Sequence, residues 1–189
     1  GLGFLVWDDL LIHGRHVRRW RLHSKIVVFS TTLLFVGGAM AFYFIERDYA
    51  FAGAGPGKRA LMAAFQSITC RTAGFNTAPL TALSQSGTLL TMSLMFIGAG
   101  SGSTGGGAKV NTIAVLFLSA AAQVRRKEDV NVFRRRLDTA TIQRAYSSVS
   151  VFFMACLAGT MVMCLQGISL DSALFEAISA VGTVGLTRG

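Results

Sequence analysis

The sequence predicts an all-α integral membrane protein built from repeats of span, re-entrant half-helix loop and span. Three observations predict it: two uncharged tracts of membrane length, a glycine-rich break inside a third apolar tract, and two basic clusters at the ends of the tracts. Only 14% of the 189 residues are charged and 52% are hydrophobic, whereas soluble domains carry about 25% charged residues. A soluble surface would lack its material. The 18 Lys and Arg exceed the 9 Asp and Glu, a formal net charge of +9, and position decides what that excess means. Arg15, Arg18, Arg19, Arg21 and Lys25 form one cluster, with His13, His16 and His23 among them, and Arg125, Arg126, Lys127, Arg134, Arg135, Arg136 and Arg144 form the other. Basic clusters at the ends of apolar tracts mark cytoplasmic loops, so membrane lipid is the expected partner and nucleic acid is not.

The elements follow in order. Ile26 to Ile45 is uncharged over 20 residues, about 30 Å of helix, the thickness of the hydrocarbon core. It follows the first basic cluster and ends at Glu46-Arg47-Asp48, so it runs outward. Ala50 to Gly57, rich in Gly and Ala, reads as an external loop. Leu61 to Thr69 is a helix too short to cross a bilayer and fits a re-entrant segment; residues 70–77 follow it. Thr88 to Val124 holds a single charge, Lys109, over 37 residues, about 55 Å if one straight helix. Its centre, Gly98 to Gly107, is mostly glycine, and each glycine costs a helix roughly 1 kcal/mol relative to Ala. Two helical pieces joined by a loop at membrane depth are expected, which is tolerated only where the loop is buried in protein or lines a water-filled path. A basic linker spans 125–144, a second uncharged span Ala145 to Leu165, a second short helix Asp171 to Ala180, and a second loop 181–187.

The two short helices and their loops resemble each other. Phe65-Gln66-Ser67-Ile68-Thr69 answers Phe175-Glu176-Ala177-Ile178-Ser179, and Thr72-Ala73-Gly74-Phe75 answers Thr183-Val184-Gly185-Leu186 after one extra residue. Such a unit repeated in equivalent positions is a structural repeat. A cation leaving water can exchange its hydration shell for a ring of backbone carbonyls. Glycine permits the backbone this demands, and the half-helix directs its partly negative C-terminal end to the same place. Phe75, Val184 and Leu186 are expected to pack behind the strands.

Other chemistry has no support in the residues. Cys70, Cys156 and Cys164 form no CxxC or Cys/His pattern, so no metal site is expected. No Ser/His/Asp, Cys/His or paired-carboxylate set marks an enzyme. Gly100-Ser101-Gly102-Ser103-Thr104-Gly105 fits G-x-G-x-x-G, but an apolar helix, not a short strand, precedes it. The acids Glu128 and Asp129 lie in the basic linker rather than in a βαβ unit. Ala108 between Gly107 and Lys109 breaks a Walker A loop. No cofactor is expected.

The segments TCRTAGFNT (Thr69 to Thr77), FIGAGSGSTGGGAK (Phe96 to Lys109) and FEAISAVGTVGL (Phe175 to Leu186), with GLGFLVWDDLL (Gly1 to Leu11) and Leu22-His23-Ser24-Lys25, resemble the membrane subunits of Trk/Ktr/HKT potassium transporters. The resemblance implies four potassium-channel-like span–pore loop–span repeats around one pore, in a multi-pass protein of the cytoplasmic (inner) membrane that takes up potassium by symport. Residues 1–25 then correspond to the end of repeat two and its linker, 26–124 to repeat three, and 145–189 to repeat four as far as its filter. Carried over by motif, the filter residues are Thr72, Ala73, Gly74, Phe75, Asn76, Thr183, Val184, Gly185, Leu186 and Thr187, whose carbonyls bind potassium as the transported substrate. Asn76 and Thr187 stand where channels have a final Gly, which relaxes the filter. The intramembrane gating loop corresponds to Gly98, Gly100, Gly102, Ser103, Thr104, Gly105, Gly106, Gly107 and Lys109. Arg71 matches the family's arginine beside the filter, and Glu176 is a candidate partner for it by charge alone. The resemblance also implies a homodimer of the full-length protein and a cytoplasmic nucleotide-binding regulatory subunit, for which the Arg125–Arg136 loop is either a docking surface or simply a solvated positive-inside loop. The alternative function is a non-conducting membrane scaffold or sensor that keeps the pore-loop fold.

Overall fold

A computed structural model of the chain describes residues 1–14, 16–126, 131–132 and 135–189. Among them run seven helices: α1 Phe4–His13, α2 Leu22–Ile45, α3 Pro56–Thr69, α4 Gln85–Phe96, α5 Val110–Val124, α6 Thr139–Leu165 and α7 Leu170–Val181. One departure from an all-helical chain lies in the basic linker, where β1 (Asn131–Val132) pairs antiparallel with β2 (Arg135–Arg136). Arg15, Lys127, Glu128, Asp129 and Arg134 lie outside the described residues, so the expected docking loop is described only in part.

Helices begin earlier than the apolar tracts that announce them. α3 starts at Pro56 rather than residue 61, because proline's missing N–H costs nothing in a first turn. α6 starts at Thr139 and takes Arg144 into its first turns. α4 starts at Gln85, where the Ser84 hydroxyl accepts the Gly87 N–H at 2.9 Å and caps the helix. α2 and α6, of 24 and 27 residues, are long and apolar enough to cross a membrane. Their apolar surface faces outward: Phe29, Leu33 and Phe44 on α2, and Val151, Met161 and Leu165 on α6, are 61% to 80% exposed. Apolar surface on that scale suits lipid or further membrane helices and not water. α3 and α7, of 14 and 12 residues, reach only about 20 Å.

The core gathers the short helices and their loops inside the long ones. Phe42, Phe51, Met95, Phe175, Val184 and Leu186 are all buried within one cluster. α2 and α3 approach closely at Gly38, where an added Cβ would come within 2.6 Å of the Ser67 hydroxyl oxygen. That hydroxyl donates to the Phe35 carbonyl at 3.0 Å, an approach of the small-residue kind used between membrane helices.

A buried carboxylate ties α2 to α4. Glu46, fully buried after the last turn of α2, accepts the Ser84 hydroxyl at 2.6 Å and the Ser84 N–H at 3.2 Å. It also accepts the Ala50 N–H at 3.3 Å. The carboxylate therefore sits at the positive N-terminal end of α4. Gly87 gives it room, since an added Cβ there would lie 2.7 Å from the Glu46 Cδ. Gly87→Ala in the full-length protein is expected to cost about 1–3 kcal/mol, the usual penalty of overpacking. Thermal unfolding in detergent measures it, and an unchanged midpoint would mean that the carboxylate yields freely.

Candidate functional site

Both Thr-x-Gly segments leave their short helices in the same way. After α3 the Thr69 carbonyl accepts the N–H groups of Ala73 and Gly74 at 3.2 and 3.3 Å; after α7 the Ser179 carbonyl accepts the Val184 N–H at 2.9 Å. Thr72 and Gly74 have φ of 68° and 74°, and Thr183 and Gly185 have 52° and 87°. The residues between and after them, Ala73, Phe75, Val184 and Leu186, keep ordinary φ. The sign of φ thus alternates identically in two segments over a hundred residues apart in sequence. A threonine held at positive φ costs about 1–3 kcal/mol, and such strain clusters at functional sites.

A hydroxyl braces the far end of each segment. Thr69 Oγ1 donates to the Phe75 carbonyl at 2.6 Å and accepts the Phe75 N–H at 2.9 Å. At the matching position Ser179 Oγ donates to the Leu186 carbonyl at 2.6 Å. Both residues stand in the repeat read from the sequence, but without a role there; what signalled one was a hydroxyl at the same register in both copies. Thr69→Val keeps the side-chain shape and removes two hydrogen bonds, whereas Ser179→Ala removes one. At about 1 kcal/mol per bond, Thr69→Val is expected to lower the unfolding midpoint of the full-length protein about twice as far. Equal shifts would deny that the Phe75 N–H bond contributes.

The two segments meet. A Cβ added at Gly74 would run into the Val184 carbonyl, with the Val184 carbonyl carbon at 3.3 Å and the Gly185 Cα at 3.6 Å. The glycine-rich loop, residues 97–109, lies against both. Its neck is stitched by Ala99 N–H to the Gly106 carbonyl at 3.3 Å and Ala108 N–H to the Phe96 carbonyl at 3.1 Å. The strands of the neck are so close that a Cβ on Gly98 would come 2.8 Å from the Gly107 Cα. Gly105 abuts the Thr72 side chain, and the Gly106 N–H donates to Thr183 Oγ1 at 3.0 Å. Two cations hold the loop: Arg71 Nη2 donates to the Gly98 carbonyl at 3.3 Å, and Lys109 Nζ donates to the Gly105 carbonyl. The tip folds back through Ser103, whose hydroxyl donates to the Gly100 carbonyl at 2.6 Å. Gly102 accepts the Phe4 N–H at 3.1 Å, and the Gly100 N–H donates to Gly1 at 2.7 Å, docking the start of the chain on the loop.

Two expectations are corrected. Arg71 and Glu176 do not pair: Glu176 Oε1 accepts the Thr187 hydroxyl at 2.7 Å and the Arg188 N–H at 2.9 Å, both on the segment that follows its own helix. Arg71 turns instead to the loop. Val184 and Leu186 are buried behind their strand, at 4% and 1% exposure, but Phe75 is 71% exposed and does not pack. Asn76 and Thr187 are exposed. At the start of α7, the Ser169 hydroxyl 2.7 Å from Asp171, the Ser172 N–H and the Arg188 charge hold the Asp171 carboxyl below the usual carboxylate range.

Two long apolar helices, two short helices ending in matched glycine segments and a glycine loop between them define a helical protein of the membrane-transporter class. The chain belongs to the TrkH family of cation transport proteins, whose model matches residues 2–189. It is 38% identical to the Ktr system potassium uptake protein B of Vibrio alginolyticus and 36% identical to the potassium/sodium uptake protein NtpJ of Enterococcus hirae, in both cases over the whole chain. It spans 42% and 43% of their lengths. In fold it is similar to the potassium transporter TrkH from Vibrio parahaemolyticus, with a TM-score of 0.68 over 98% of this chain and 42% of that one at 24% identity. The family is one of transporters, not enzymes.

Proposed function

We propose that this chain supplies two of the filter segments and the gating loop of a potassium uptake protein in the cytoplasmic membrane. The observation that carries the reading is the matched alternation of φ in Thr72 to Phe75 and Thr183 to Leu186, at segments that touch through Gly74 and Val184. An ordinary strand points successive residues to opposite faces. Inverting φ at every second residue instead turns successive carbonyls toward one side, which a dehydrated cation requires. The carbonyls of Thr72, Ala73 and Gly74, and of Thr183, Val184 and Gly185, are the proposed ligands. Those of Phe75 and Leu186 already accept hydroxyls and close the filter from behind. Asn76 and Thr187 stand at its outer end in place of a final glycine.

The loop from Gly98 to Gly107 lies against Thr72 and Thr183 and is the proposed gate. With the basic clusters inside, α2 and α6 run outward, α3 and α7 re-enter, and α4 and α5 form one broken span. The names of the relatives, potassium uptake and potassium/sodium uptake, agree with a relaxed filter. A homodimer of the full-length protein and a cytoplasmic regulatory subunit docking on the basic linker belong to the same proposal. The test is growth on low potassium of a strain lacking potassium uptake. The full-length protein is expected to rescue growth, and Gly185→Phe to return it to the level of the empty vector. No rescue by the unaltered protein, present in the membrane, would favour a non-conducting scaffold.

A further inference from the structure

We propose that the groove between the 3₁₀ turn Val17–Arg19 and the first turns of α2 is a binding site for an anionic phospholipid of the inner leaflet. The groove has a volume of about 510 Å³ and is lined by Arg18, Trp20, Lys25, Val28, Phe29 and Thr32 among others. Residues 25, 28, 29 and 32 stand at helical spacings of three and four and so form one stripe. That stripe opens on an ammonium group at the basic end of α2 and continues through Val28 and Phe29 toward the membrane interior. A phospholipid presents the same order, a charged head and then an apolar tail.

The charged end is built rather than merely crowded. Lys25 Nζ donates to the Arg18 carbonyl at 3.0 Å, which fixes the two basic residues beside each other. Trp20, 8% exposed, donates through Nε1 to the Gly14 carbonyl at 3.1 Å and forms the groove's wall at the depth where indoles sit in membranes. Arg21 is engaged by Asp8 at 3.2 Å and Asp9 at 3.7 Å. Among the described residues Arg18 and Lys25 have no carboxylate partner within ion-pair distance, so their charge is available to a phosphate. Phe29 is 62% exposed along the tail's path. The site requires the membrane placement proposed above but not conduction, so failure of growth rescue leaves it standing.

Native mass spectrometry of the full-length protein, titrated with dioleoyl phosphatidylglycerol or dioleoyl phosphatidylcholine, tests it. The unaltered protein is expected to retain phosphatidylglycerol preferentially. Each basic residue near an anionic lipid surface is worth about fivefold in affinity, so Arg18→Gln and Lys25→Gln together are expected to lower phosphatidylglycerol binding roughly twentyfold to thirtyfold. Arg19→Gln, outside the groove, is expected to change it less than twofold. Phe29→Glu, which puts a carboxylate in the tail's path, is expected to lower binding with the basic residues intact. Equal retention of the two lipids, or an Arg19→Gln loss as large as that of Arg18→Gln, would overturn the site in favour of diffuse surface attraction. A disulfide between two copies of a Phe29→Cys protein would place a second protomer in the groove and overturn it as well.

Discussion

Gly74→Ala is expected to reduce potassium uptake about a hundredfold, and Gly185→Ala only about tenfold, although the two glycines hold equivalent places in the repeat. Both have positive φ, 74° and 87°, and an L-residue in the left-handed region costs roughly 1–2 kcal/mol. That cost is common to the two substitutions, and about 1.4 kcal/mol in a barrier is tenfold in a rate. They differ in surroundings. The Cβ of an alanine at 74 would strike the backbone carbonyl of Val184, while at 185 nothing lies within 4 Å. A backbone carbonyl in a braced segment cannot step aside as the tip of a side chain can, so position 74 carries a second penalty of similar size. Potassium uptake rates in cells, normalised to protein in the membrane, measure both. An equal loss at the two positions would mean that backbone conformation alone decides and that the contact between segments has no functional weight. Thr72→Gly is a contrast, since it relieves strain at φ 68° but deletes a side chain that touches Gly105.

The parts of this fold that sequence makes legible are those written locally. α2 and α6 follow from uncharged tracts of membrane length, and the break between α4 and α5 from a run in which glycine makes a helix costly. Helix starts were less legible, because Pro56 and Thr139 lie outside the apolar tracts and are admitted by first-turn geometry that hydropathy does not register. The matched segments were visible as Thr-x-Gly, but the positive φ at Thr72 and Thr183 was not, since threonine ordinarily avoids that region. Charge matching between Arg71 and Glu176 failed for a physical reason: donors two or three residues past the glycine, Thr187 and Arg188, reach the carboxylate first. Phe75 has the apolar character of Leu186 but lies on the outside of its segment. Ties between distant segments, such as Glu46 to Ser84 and Arg71 to Gly98, leave no periodic trace.

If the glycine loop is the proposed gate, removing its two cationic clamps is expected to raise the basal potassium flux of the full-length protein. Arg71 grips the Gly98 carbonyl at one side of the neck, and Lys109 grips the Gly105 carbonyl near the other. The Lys109 bond closes the loop on itself, and among the described residues the hydrogen bonds between the loop and the proposed filter segments are those of Arg71 with Gly98 and of Gly106 with Thr183. Hydrogen bonds to charged groups contribute about 1.5–3 kcal/mol, and the lower figure applies to side chains that are not fully buried. Arg71→Gln or Lys109→Gln is therefore expected to shift the proposed gate toward open by about tenfold, and the double variant by up to a hundredfold if the clamps act independently. Electrostatics adds in the same direction, because each substitution removes a positive charge beside a path for cations. Potassium flux into proteoliposomes containing the full-length protein, without any regulatory subunit, is the measurement. The sign of the change separates this account from simple damage: a misfolded or collapsed filter passes less potassium, whereas a released gate passes more. Basal flux in the double variant no higher than in the unaltered protein would remove Arg71 and Lys109 from the gating mechanism and leave them as supports of the loop.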